Sequence, residues 1–146
     1  MKVVLQRVNH SSVVVDGETV GQIGKGYLLL VGFGRGDDSS KLKPMAEKII
    51  NLRLFPDGDK KLHLTLIDIQ GEVLLVPQFT LFADISKGRR PEFFGALEPD
   101  KATLLFDQFT AICKELGVAK VETGRFGAYM KVALENDGPV TITLES

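Results

Sequence analysis

The stretch Val76-Pro77-Gln78-Phe79-Thr80-Leu81 ends an apolar run with an amide, an aromatic ring and a hydroxyl on three successive residues. At the end of a strand, such a group can line a pocket in which backbone N–H groups and a placed hydroxyl hold a developing oxyanion. By periodicity alone the plainer reading comes first, a strand end with Thr80 turned outward. A second stretch, Asn136-Asp137-Gly138-Pro139-Val140-Thr141, reads as a hairpin turn in which Pro139 opens an edge strand. It is equally a place where a cis X-Pro peptide is cheap, and a cis bond aims carbonyls where a trans chain cannot; the residues leave both readings open. A third, Lys87-Gly88-Arg89-Arg90-Pro91, gathers cations in a loop downstream of Thr80. Such a run is usually a solvated face, with phosphate positioning as the rarer alternative.

The side chains that most often do acid-base or nucleophilic work offer less. Cys113 falls among core positions of a helix and reads as a small buried hydrophobe. His10 sits at a polar step in the first strand and His63 on the polar face of an alternating one, so both read as exposed, with no Ser/His/Asp arrangement around them. Asp37-Asp38 and Asp57 to Asp59 read as a helix start and a turn. With one cysteine and two histidines the chain holds no metal-ligating cluster and no internal disulfide. The expectation is therefore a protein with no metal and no cofactor, at home in a reducing cytoplasm.

The elements that must position these residues follow from spacing. Val3 to Val8 and Ser11 to Val15 read as strand pieces broken at Asn9-His10, and Asp16-Gly17 is a hairpin signal leading to a strand over Glu18 to Ile23. Tyr27 to Phe33 is a continuous apolar run that suits a strand buried on both faces. Leu42, Met45, Ala46, Ile49 and Ile50 fall at helical spacing, with Pro44 tolerable only in the first turn. Leu62, Leu64 and Leu66 alternate as a strand, and Glu72 to Leu81 follows as another. A second helix opens at Pro99 and closes at Gly117, its apolar face made by Ala102, Leu105, Phe106, Phe109, Ile112, Cys113 and Leu116. Closing strands are expected over Ala128 to Leu134 and Val140 to Leu144, either side of the Asn136 to Pro139 turn.

Segregated strands with two helices predict an α+β fold: one domain over 1–146, a mostly antiparallel, curved or barrel-like sheet, and both helices packed on one side. A chain of 146 residues with 44% hydrophobic and 25% charged residues is long enough for one core. Nothing in it has the apolar length of a signal peptide or a membrane span. A net charge of −1 argues against coating nucleic acid by general electrostatics, so any RNA partner is expected to be held locally.

Taken as a set, these residues resemble the D-aminoacyl-tRNA deacylases, also called D-tyrosyl-tRNA deacylases, from end to end. The matching stretches are Leu5 to Val8, Gly21 to Gly26, Asn51 to Arg53, Gln78 to Leu81, Lys87 to Pro91, Glu122 to Gly127 and Asn136 to Thr141. Each is weak alone, and their common order over the whole length is specific. The resemblance implies an editing hydrolase that cuts the ester between a D-amino acid and the 3′-terminal ribose of tRNA. It also implies a homodimer with active sites at the subunit interface.

In such a protein Gln78, Phe79 and Thr80 line the pocket for the tRNA 3′ end and supply the catalytic groups. Gly138 and Pro139, joined by a cis bond, project into the other subunit's pocket, Arg7 anchors that loop, and Met130 adds to the pocket wall. Lys87, Arg89 and Arg90 are the candidate tRNA contacts. Carbonyls at Gly138 and Pro139 gripping the α-amino group would exclude L side chains by clash and let glycine through. The residues around Thr80 include no activating base, so assistance from the tRNA 2′-hydroxyl is expected. Pro77 departs from the family's usual serine, and related deacylases with altered substrate choice carry proline there. Two rivals follow: a non-enzymatic RNA-binding dimer, and a deacylase on the same scaffold whose chirality is relaxed by Pro77.

Overall fold

The computed structural model describes residues 1–59 and 61–146. In chain order its elements are β1 (Lys2–Val15), β2 (Glu18–Ile23), β3 (Gly26–Gly32), α1 (Leu42–Asn51), β4 (Phe55–Pro56), β5 (Leu62–Leu64), β6 (Glu72–Pro77), α2 (Pro99–Glu115), β7 (Lys120–Thr123) and β8 (Lys131–Glu145). β1 and β2 meet at Asp16-Gly17, where both residues take positive φ, as a tight primed turn requires.

The main sheet has six strands in the order β2-β1-β3-β6-β7, with β8 also paired to β1. It is barrel-like: β7 curls back toward β2, where Lys120 Nζ donates to the Gln22 carbonyl at 2.7 Å. The expectation of a mostly antiparallel sheet needs correction. β1 pairs antiparallel with β2, β3 and β8, but β3–β6 and β6–β7 are parallel. The reason is connectivity: α1 lies between β3 and β6 and α2 between β6 and β7, and a helical crossover returns the chain in the same direction.

Two cores result. Leu5, Tyr27, Leu29, Val31, Val73 and Leu75 face α1 and α2, which pack together on that side. Leu28, Leu74 and Val76 face the other way, into the barrel, with Val13 and Ile23. The continuous apolar run of β3 is thus buried on both faces. Cys113 belongs to the helix-side core, and burial pushes its thiol up to about 12.

Beyond small shifts at strand ends and the unexpected β7, three differences from the sequence reading bear on the site. β1 continues through Asn9-His10, and the polar step instead marks a slip in its register with β8. The strand expected to reach Leu81 stops at Pro77, and Phe79–Phe82 form a single 3-10 turn. The two closing strands are one, β8, with no hairpin between them. Val8 lies opposite Asn136 and Gln6 opposite Thr141, so residues 137–140 bulge out against Arg7 alone. The turn-forming residues make a bulge here because β1 is long enough to pair with both halves of β8.

At one end of β1, Asp37 ties three donors together: the Met1 ammonium at 2.7 Å, Lys41 Nζ at 2.7 Å and the Gly34 amide at 2.6 Å. Its side chain is only 4% exposed. Burial alone pushes this carboxyl up, but the hydrogen bonds from Lys41, the Met1 ammonium and Gly34 outweigh it and hold it below its ordinary value. A carboxyl of this kind adds stability above its unfolded-state pKa and loses it as pH falls through the lower folded one. Asp37→Asn is therefore expected to cost about 3 kcal/mol at neutral pH, leaving buried charge unpaired. In urea melts the gap from wild type should narrow as the pH falls below the ordinary carboxylate range, and a gap independent of pH would contradict this account.

Candidate active site

The parallel strands β3, β6 and β7 all end on one side of the sheet, with Val31 opposite Pro77. Clefts form outside the carboxyl ends of parallel strands because the chain departs from each in a different direction. Here a cavity of about 590 Å³ opens among those departures, within the ~300–1,000 Å³ range of small-ligand sites. Its walls come from the end of β3 and the residue after it (Gly32, Phe33), the end of β6 and the segment beyond it (Pro77 to Phe79), the start of α2, and the stretch from Phe126 to Met130 before β8.

The turn after β6 is held close. The Gln78 amide donates to the Val31 carbonyl at 2.7 Å, and a Cβ on Gly32 would lie 2.7 Å from the Gln78 carbonyl oxygen, so only glycine allows this approach. Gln78 Nε2 donates to the Thr80 hydroxyl oxygen. Phe79 packs edge-on against Phe93, with ring centroids 5.0 Å apart. As the first N–H groups of a helical turn, the Phe79 and Thr80 amides have no partner within the turn, and neither donates to any other backbone carbonyl among the described residues.

Gln78, Phe79 and Met130 line the cavity. Thr80 is exposed and does not, reaching it only through Gln78. Among the described lining residues Glu98 alone carries a formal charge. Its own backbone amide and Lys101 hold its carboxyl below the usual range.

Arg7, Gly138 and Pro139 sit elsewhere. Arg7, 7% exposed, lies opposite Tyr27 on β3, roughly 13 Å from Val31 at about 3.3 Å per residue. Its Nε donates to the Asp137 carbonyl at 2.8 Å and lies 3.3 Å from the Asp137 carboxylate, and its Nη1 donates to the Leu54 carbonyl. These bonds hold the bulge, whose Gly138–Pro139 peptide is cis and whose two residues are exposed. Neither Gly138 nor Pro139 lines the cavity of its own chain.

Lys87, Arg89 and Arg90 are exposed on a loop closed by amide-carbonyl bonds between Asp84 and Glu92 of 2.7 and 3.0 Å, also outside the cavity lining. His10 and His63 are both exposed, and His63 Nδ1 pairs with Asp57 at 2.9 Å in the β4–β5 hairpin.

Residue periodicity did not single out Phe93, Ala102 or Tyr129 as cavity-lining. Ala102 lies on the apolar face of α2, where a wall residue and a core residue look alike. Tyr129 carried a usable signal, an aromatic side chain next to Met130, which the resemblance already places in the pocket wall.

Residues 4–145 match the family model described as D-Tyr-tRNA(Tyr) deacylase. The D-aminoacyl-tRNA deacylase of Clostridium perfringens (strain 13 / Type A) is 56% identical over 146 residues, covering 100% of this chain and 97% of that one. That of Thermosipho africanus (strain TCF52B) is 51% identical over 146 residues, with the same coverage. Among solved structures, the c-Myc DNA Unwinding Element Binding Protein superposes with a TM-score of 0.93 at 40% identity, covering 100% of this chain and 99% of that one. A probable eukaryotic D-amino acid tRNA deacylase shares the fold, with a TM-score of 0.85 at 18% identity over 98% of this chain and 97% of that one. A family model that spans nearly every residue, joined to identities above one half along the full length, means that the chain belongs to the D-Tyr-tRNA(Tyr) deacylase family.

Proposed function

We propose that this chain hydrolyses the ester between a D-amino acid and the 3′-terminal ribose of tRNA, and that it does so in the cytoplasm as a homodimer. The observation that carries this reading is a cavity with unpaired Phe79 and Thr80 amides beside it and no histidine, lysine or cysteine among its described lining residues. Ester hydrolysis needs an oxyanion stabilised and a nucleophile delivered. The amides answer the first need. The second is met by a water that the substrate's ribose 2′-hydroxyl, next to the scissile ester, orients: the water oxygen adds to the ester carbonyl, and the ribose 3′-oxygen leaves with the proton the water gives up. Thr80 acts as a positioning group, since its oxygen accepts from Gln78 and has no base to activate it.

Chiral rejection belongs to the bulge. Gly138 and Pro139 are exposed, held by Arg7, and outside their own chain's cavity, which suits a loop that completes the site of a second copy. Its carbonyls grip the α-amino group and crowd the position of an L side chain, while D side chains and glycine pass. Lys87, Arg89 and Arg90 meet tRNA phosphates.

Hydrolysis of D-tyrosyl-tRNA and L-tyrosyl-tRNA by the purified protein, with a chelator present, tests this. The D ester is expected to be lost at least about a hundredfold faster, a difference of ~2.7 kcal/mol in barrier. Survival of both esters would leave an RNA-binding dimer. Loss of both at similar rates would assign relaxed chirality to Pro77, which stands in the cavity wall.

A further inference from the structure

Tyr129 is 88% exposed, yet it lines the cavity between Ala128 and Met130. Other exposed hydrophobics, Ile85 and Phe94, stand away from the cavity; Tyr129 alone among the most exposed puts a flat ring with an apolar face and a polar tip at its lip. The question is what passes it. If the cavity takes the aminoacylated 3′-terminal nucleoside, as proposed above, its volume of about 590 Å³ is committed to that group. The next nucleotide must then lie outside it, within reach of a ring at the lip.

We infer that Tyr129 is a stacking platform for the base of the penultimate nucleotide, and so makes the site read an RNA end rather than a lone aminoacyl nucleoside. Stacking on an aromatic side chain is tolerant of base identity, because every base presents a π-face. It also supplies affinity without net positive charge, which fits a chain of formal charge −1. The phenol hydroxyl has no part in this. Phe94, 70% exposed but outside the cavity lining, serves as the control.

This inference rests on the deacylase reading, and its test separates the two. KM is measured for D-tyrosyl-tRNA and for D-tyrosyl-adenosine, which lacks the second nucleotide. In Tyr129→Ala the ratio of the tRNA KM to the adenosine-ester KM is expected to rise about tenfold, within the range of one lost base stack, with kcat for tRNA changing far less. Tyr129→Phe should restore the wild-type ratio within about twofold, and Phe94→Ala should leave it unaltered. The platform is overturned if both KM values rise together, if phenylalanine fails to rescue, or if Tyr129→Ala changes the oligomer mass on gel filtration. Should wild type cleave neither ester, the deacylase reading fails. Calorimetric binding of the RNA trinucleotide CCA against adenosine then decides the platform by itself: an equal Tyr129→Ala effect on both sinks it.

Discussion

Arg7→Ala is expected to lower the melting temperature by about 10 °C and to erode the preference for D over L esters in the same variant. The guanidinium is buried between the Leu54 carbonyl and the Asp137 carbonyl and carboxylate, all of which lose their donor together. Removing one side of a fully buried charged pair costs about 3–5 kcal/mol, and the low end applies here because the Asp137 side chain keeps 30% of its exposure. In a domain of this size each kcal/mol shifts the midpoint by roughly 2–4 °C. The effect on selectivity has a different origin. Residues 137–140 lie opposite Arg7 alone in the β1–β8 ladder, so without it nothing in that ladder fixes where Gly138 and Pro139 point. Lysine should recover part of the stability and little of the selectivity, since it lacks the planar fork that reaches two carbonyls at once. Thermal melts and a D-to-L rate ratio check both halves. A stable Arg7→Ala protein with intact selectivity would remove Arg7 from the account.

The largest effect on folding is expected from Gly26→Ala. A Cβ at this position would stand 1.8 Å from the Glu72 carbonyl oxygen and 2.7 Å from the Glu72 carbonyl carbon and amide nitrogen. All three are main-chain atoms at the first rung of the parallel β3–β6 pair, so no side chain can swing aside. Overpacking a core usually costs about 1–3 kcal/mol, and a backbone collision lies at or above the top of that range. We expect a loss of at least ~3 kcal/mol, measured as a lower urea midpoint with an unchanged slope. A midpoint within error of wild type would show that β3 and β6 can separate at this end without penalty.

The sequence made the elements legible where one force dominated. The two-faced burial of β3, the apolar stripe of α1 and the Pro99 start of α2 all follow from local pattern, and the structure has them. It was less informative where two forces compete. Asn136-Asp137-Gly138-Pro139 has the chemistry of a hairpin, but β1 offers a partner along its whole length, and tertiary pairing overrides the local turn. Parallel pairing left a trace in the continuous apolar runs of β3 and β6, outweighed in the overall reading by the hairpin signals of the N-terminal strands. As for the site, the Gln78 to Thr80 cluster was visible as a break in pattern. The cavity wall at Ala102 was not, since an alanine facing a cavity and one facing a core leave the same trace.

The Phe79 and Thr80 amides bear on how such a protein can change over time. A donor belonging to the main chain is encoded by every codon except those for proline, so point substitution cannot easily delete it. Side-chain scanning of this region would mostly report altered affinity and seldom a dead enzyme. If these amides hold the oxyanion as proposed, drift in the surrounding walls is free to retune which amino acid and which RNA end are accepted, while the reactive centre is inherited with the path of the backbone.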